Sequence, residues 1–306
     1  MSKLYTGLTT NGVTELTLQE EGVGNIGTQT IVWDDTVNGE IDQVQGDIPG
    51  NWKNGGGIKQ LQIGTSCTSI GSNAFYDCTG LTGDLVIPDS VTSIGNFAFY
   101  FCSGLTSLTI GNSVTFIGNY AFAFCPNLTG SLVIPDNILT IEREAFWGCG
   151  FTGTLTIPAN ILTIMPYTFR DCTGFTDLII EDGLDRIHFN AFQDCAFTSV
   201  TLPSTITRLD QSCFRGNSNL TDFTFPESLT IIGQGVLVQC TNITNVNIYV
   251  TKTLFEANDT TFPQVYGQLA NTGVTTVHVR ASDNTWTAGA GQTIGGKTGI
   301  EVIKDL

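Results

Sequence analysis

Nine cysteines, two histidines and a few close-set carboxylates are the residues of this chain best equipped for chemistry. Thiolates hold zinc when four ligands converge, and they attack carbonyl carbon when a base stands beside them. The spacing here serves neither purpose. Cys78, Cys102, Cys125, Cys149, Cys172 and Cys195 follow one another at intervals of 23 or 24 residues, with no CxxC pair. His188 and His278 are the only histidines, and no GxSxG or HExxH pattern accompanies them. The sequence NGGGIKQ at residues 54–60 lacks the spacing and the hydroxyl of a phosphate loop. Glu142 with Glu144, and Glu181 with Asp182, are neighbours on one short stretch. A glycosidase needs its two carboxylates facing each other across a cleft, so these acids read as solvated loop charges. No catalytic, cofactor or metal site is expected.

The interval itself is the informative feature. Each of these cysteines closes a phrase: an apolar-x-apolar triplet, often a proline, then VTxIG, AF, and Cys three residues beyond the Phe. The copy from Leu85 to Cys102 reads LVIPDSVTSIGNFAFYFC. The triplet begins at Leu61, Leu85, Leu108, Leu132, Leu155, Leu178, Val200, Phe223 and Val246, in steps of 22 to 24 residues. The aromatic slot keeps the same steps through Phe75, Phe99, Phe122, Phe146, Phe169, Phe192 and Phe214. A triplet such as Leu-x-Ile sends two side chains one way and one the other, which makes a short strand buried on one side. Proline ends it, having no N–H to give to a ladder. One repeat cannot bury its own Leu, Ile and Phe; stacked copies can. Cys67 and Cys213 fall where other copies carry Val or Ile and Ala, so every cysteine takes a small inward slot and packs as a small hydrophobe. Free, buried thiols are expected. The odd count argues against complete pairing, although stacked disulfides between neighbouring coils stay open.

The phrase LxIPxxVTxIGxxAFxxC resembles the BspA-like leucine-rich repeat, here in eight tandem copies of 22–24 residues over residues 61–245. The resemblance implies an α/β-type solenoid, mostly β: a right-handed leucine-rich-repeat array with a parallel concave sheet and end caps. It also implies binding rather than catalysis. Family members are typically surface adhesins of bacteria and protists, and related repeats occur in virus and phage proteins.

An open array exposes its first and last core layers, so caps are expected. Residues 1–60 lack the phrase and hold strand-like stretches at 13–18 and 28–33; they read as an N-terminal cap or an attachment segment. Residues 246–306 read as an extended C-terminal repeat and cap. A short helix is expected at 263–269, strands at 274–279 and 300–303, and Trp286 as an anchor.

Net charge is −16, and residues 61–245 set 5 Arg and no Lys against 15 Asp and Glu. Such a surface repels phosphate, so neither nucleic acid nor an anionic membrane is an expected partner. No apolar run is long enough to insert into a bilayer, and MSKLYTGLTTNGVTEL lacks the apolar core of a secretory signal. The expected location is a virion or another extracellular surface reached by a different route.

The expected partner is a protein or a cell-surface glycan, and self-association or docking to a larger particle is compatible with both. Two faces compete for it. Tyr76, Tyr100 and Trp147 follow the core aromatic, while Phe97, Tyr120 and Tyr167 precede the AF pair, with Phe101 and Phe124 close by. These rings either form an exposed apolar patch or half-bury between coils. Later repeats put Arg170, Gln193 and Arg215 in their place. The strand face instead offers Ser107, Thr109, Thr154, Thr156, Asp177, Ser199, Thr201, Asp222 and Thr224. It is small, mostly neutral and without an aromatic anchor, and its Thr ladder is too interrupted for an ice-binding array. The function read from the chain is a non-enzymatic recognition or adhesion protein on a virus, phage or cell surface. The alternative is an intracellular or architectural protein–protein interaction scaffold.

Overall fold

The computed structural model describes residues 60–63, 68–256, 269, 272–294 and 297–305, together with the backbone strands Lys3–Tyr5, Leu18–Glu20, Thr30–Trp33 and Glu40–Ile41. The chain divides into two units, Met1–Gly150 and Phe151–Leu306. Each is a parallel β-solenoid of stacked coils with three sides.

In the first unit, one side holds the triplets. Gly83–Val86 pairs with Leu105–Thr109 in parallel, and Leu85 lies opposite Leu108. Thr30–Trp33 pairs in the same sense with Gln60–Ile63. A second side is a five-stranded parallel sheet of two-residue strands: Glu40–Ile41, Ser69–Ile70, Ser93–Ile94, Phe116–Ile117 and Thr140–Ile141. The isoleucine of every VTxIG-like copy therefore occupies one register column. The interval read from the sequence is the pairing register, and a one-residue slip would turn each Leu and Ile outward.

The second unit repeats the plan. Leu155, Leu178 and Val200 align across Gly153–Ile157, Phe175–Ile180 and Ser199–Thr201. Phe223, Val246, Val277 and Val302 align across Asp222–Phe225, Asn245–Ile248, Thr276–Val279 and Lys297–Lys304. Thr163–Ile164, Arg186–Ile187, Arg208–Leu209 and Ile231–Ile232 form its second sheet.

The third side of each coil carries AF and is no strand. Its alternate amides reach along the stack: Phe97, Phe99 and Phe101 N–H donate to Asn119, Ala121 and Ala123 of the next coil at 2.8, 2.7 and 3.0 Å. The amides between them turn back within the coil, as from Tyr100 to Phe97 O at 3.3 Å. This alternation puts two residues of each coil in the left-handed region. They are the one before the Ala–Phe step, such as Phe97 (φ 57°), and the one before the cysteine slot, such as Phe101 (φ 59°). Close approach of the coils also explains the glycine of VTxIG. A Cβ on Gly118 would lie 2.6 Å from Asn96 N.

The interior is a column of phenylalanines. Phe75, Phe99, Phe122 and Phe146 stack at centroid spacings of 5.0, 5.3 and 5.4 Å, their planes within 4–11° of parallel. Phe169, Phe192 and Phe214 do the same in the second unit at 5.5 and 5.4 Å. All are buried, each contributing about 1.5–3 kcal/mol relative to an exposed side chain.

The far end departs from the repeat. Thr276–Val279 and Lys297–Lys304 cover the strands expected at 274–279 and 300–303. Trp286 is buried, and its indole N–H donates to Val250 O at 3.2 Å. Two elements were not expected: the helix Lys252–Phe255, capped by Thr251, and the strand Gly289–Ile294, which folds back antiparallel on Lys297–Lys304. The helix expected at 263–269 lies outside the described residues except for Leu269. So do Cys67 and the strand-like stretch at 13–18 except for Leu18, and the side chains of residues 1–59 are likewise outside them.

Candidate recognition surface

The thiols come first, as the strongest nucleophiles in the chain. The eight described cysteines are free and buried. Burial pushes the Cys125 and Cys240 thiols up to about 12, and Cys102, Cys195 and Cys213 well above their ordinary value. A thiol held protonated is a poor nucleophile and a poor metal ligand. Its use here is structural. Cys102, Cys125 and Cys149 donate S–H to the carbonyls of Phe75, Phe99 and Phe122 of the preceding coil at 3.1–3.2 Å. Where the slot holds Asn217, the amide does the same for Phe192 O at 2.8 Å. The sequence reading of a small hydrophobe caught the size of this slot and missed the donor. Asn217 at a cysteine position was the available clue.

The outer rings of the arm do come together in the first unit. Tyr100 is the hub, with ring centroids 5.0 Å from Tyr76, 5.5 Å from Phe97, 4.9 Å from Phe101, 6.1 Å from Tyr120 and 5.6 Å from Phe124. Phe97 stacks on Tyr120 at 4.8 Å, and Phe124 leads on to Trp147 at 4.8 Å. These seven rings are half-buried except Phe101, which is 41% exposed. The rings thus pack against those of neighbouring coils and remain partly exposed. Ala123 makes this possible. It is the small, buried residue of its coil in the slot of Tyr100 and Trp147, and the Phe124 ring contacts both of those side chains. Tyr167, in the second unit, lies edge-on to Phe189 at 5.2 Å with the Arg170 guanidinium 5.6 Å from its ring.

A model of the BspA type leucine-rich repeat region matches residues 51–155 and 140–264, in six copies. The chain belongs to this family. Among solved structures, a leucine-rich repeat protein from Bacteroides ovatus is 20% identical, with a TM-score of 0.54 over 99% of this chain and 76% of that one. Another, from Eubacterium ventriosum, is 18% identical, with a TM-score of 0.51 over 82% and 74%. At such identities the likeness is one of fold. No curated protein sequence matches the chain.

On the strand face of this BspA-type array the Asp carboxylates are bonded to neighbouring hydroxyls. Ser107 donates to Asp84 at 2.6 Å and Ser199 to Asp177 at 2.6 Å, while Thr176 gives Asp177 a second bond at 2.8 Å. Those hydroxyls hold the Asp177 carboxyl below its ordinary value. Thr221 likewise donates to Asp222 at 3.0 Å, and Asn247 to Thr224 at 3.3 Å. Val86, Val133 and Ile179 are exposed between these residues and share the outward slot with Thr109, Thr156 and Thr201. The face is a β-branched lawn in which the Asp carboxylates are already bonded to neighbouring hydroxyls.

The BspA-type repeat also carries a charged cluster that sequence reading missed. Asp210 accepts from Arg186 Nη2 at 2.6 Å and from Arg208 Nε at 2.5 Å, with His188 Nδ1 at 3.4 Å. Burial pushes the Asp210 carboxyl up, but the two guanidinium donors outweigh it and the net shift is downward. Burial and the Arg186 charge push His188 down, although Asp210 opposes them. His188 is a half-buried member of this network. The signal was the register: 22 residues separate Arg186 from Arg208 and His188 from Asp210. His278 faces the Asp305 carboxylate at 3.0 Å. No group of three or more potential metal ligands converges among the described residues. None of the described helices is long and apolar enough to cross a membrane.

Proposed function

We propose that this BspA-type protein is a non-enzymatic recognition or adhesion protein, displayed on a cell surface or on a virus or phage particle, which grips its partner with the ring cluster around Tyr100. The observation that carries this reading is a cost. Phe97, Phe101, Tyr120 and Phe124 hold φ of 56–59°, where a bulky L-residue loses roughly 1–2 kcal/mol. Other coils relax the same slots with Asn73, Asp77, Asn190, Asp194 or Gly216. Aromatics held in strained backbone at a half-exposed position suit binding, since binding energy concentrates in such anchors. The strand face supports the same choice, because its Asp carboxylates are already engaged by neighbouring hydroxyls and it carries no aromatic anchor.

Two measurements test the reading. Antibody labelling of intact cells and of purified particles should find the protein on one of them; absence from both removes surface display. Tyr100→Ala with Trp147→Ala should weaken partner capture or self-association in a chain that still melts cooperatively. Undiminished capture by a stably folded double variant would remove the ring cluster.

A further inference from the structure

Glu144 is the most anomalous residue of the first unit. It continues the column Asn73, Phe97, Tyr120 at the slot before the Ala–Phe step, in left-handed backbone with φ 62°. Its side chain is only 3% exposed. Arg143 Nε holds one carboxylate oxygen at 2.8 Å, from a side chain that is 49% exposed. The other oxygen is buried without a hydrogen-bond partner. A buried charge left partly unpaired is costly, and every such group calls for a reason.

The reason lies in what surrounds it. Glu144 lies in the coil next to Tyr120, whose amide donates to Arg143 O at 3.1 Å, and its negative charge raises the pKa of both Tyr120 and Tyr100 after burial has done so. A buried carboxylate behind aromatic rings adds its own negative potential to that of their faces, which attract cations. With few donors to quench it, the carboxylate projects its field through the rings above it. Besides Glu144, residues 61–150 carry five acids against the single Arg143, and the Asp77 charge also reaches Tyr100, so the neighbourhood adds to the same potential.

We propose that the rings of Tyr100, Tyr120, Phe124 and Trp147, backed by the buried Glu144 carboxylate, form a seat for a cationic side chain, lysine or arginine, presented by a partner protein. The cation lies over the rings and needs no direct contact with the carboxylate behind them. This rests on the recognition reading above and names the chemistry of the partner.

The test uses the full chain, an arginine tripeptide with blocked ends, and the same peptide with citrulline in place of arginine, at physiological salt. The arginine peptide should bind saturably and change Trp147 fluorescence, and the citrulline peptide should bind at least tenfold more weakly. Glu144→Gln should cut arginine-peptide affinity by about five- to tenfold, in the range of a desolvated cation–π contact, without lowering the melting temperature. Glu142→Gln, the same charge change at a more exposed neighbour, should have little effect. Equal binding of the two peptides, equal loss in the two Glu variants, or no binding at all would overturn the cation seat. If that happens while Tyr100→Ala with Trp147→Ala still abolishes partner capture, recognition by the rings stands and only its cationic chemistry falls.

Discussion

The arms of the two units share a backbone and differ in what they wear outside. In both, the core phenylalanines stack in parallel and the same two positions of each coil are left-handed. In residues 73–149 the outer positions are largely aromatic; in residues 190–216 they are Asn190, Gln193, Asp194, Ser212, Arg215 and Gly216. The polar arm folds on the same plan with residues that tolerate its geometry better. The outer rings are therefore surplus to what the coil requires. Uniformity across coils marks what holds the array together, and departure from it marks what the array is for.

The largest effect should fall on what the arms share. Phe122→Ala in one unit and Phe192→Ala in the other should each lose about 3–5 kcal/mol by chemical denaturation. A loss in one and not in the other would show that the two columns are not equivalent. The thiols extend this parity. At pH 8, Cys125 and Cys240 should react with iodoacetamide orders of magnitude more slowly in native than in unfolded protein, because burial holds both near pKa 12. Fast labelling of either would expose its coil.

Much of this architecture was legible in the chain because stacking forces every coil to place the same residue types at the same height. Leu85 opposite Leu108 and Ile94 opposite Ile117 could be read from the interval alone. The left-handed arm could not, since Phe and Tyr at positions 97, 101, 120 and 124 conceal a geometry that Asn or Gly would announce. The closing strand Gly289–Ile294 was hidden as well: GAGQTI has little β propensity and is held by its neighbour. The rings were visible as a stripe, but only the coordinates bring them together around Tyr100 and bury Glu144 in the coil beside Tyr120.

Smaller effects should fall where the arms differ. Asp210→Asn in the second unit should lose about 1–2 kcal/mol at neutral pH, its arginine partners being partly solvated. The Asp210 carboxyl lies below its ordinary value of 3.8, so its stabilisation is complete above that value and fades as pH falls through the depressed one. His188 is depressed below 6.5, so its own contribution is lost as pH falls from 6.5 through its lower value. Denaturation midpoints from pH 8 to 3 should decline in those two windows, and His188→Gln should flatten the first. A pH-independent gap between wild type and Asp210→Asn would mean that the ion pairs contribute nothing. Smallest of all, Phe101→Asn should leave stability within about 0.5 kcal/mol, relief of backbone strain offsetting lost ring contact. Partner capture should nonetheless fall. A large stability loss would instead make Phe101 part of the core and dissolve the contrast between the arms.

The reversed strand Gly289–Ile294 has a consequence for assembly. A stack of parallel coils grows by templating: each rim of amides and carbonyls is ready to accept another coil, including one from a second molecule. By running antiparallel, with register shifts and left-handed glycines at 289 and 291, this strand presents a rim whose donors no longer match a parallel newcomer. It acts as a chain terminator for polymerisation, and removing it should turn a discrete particle into a seed for filaments.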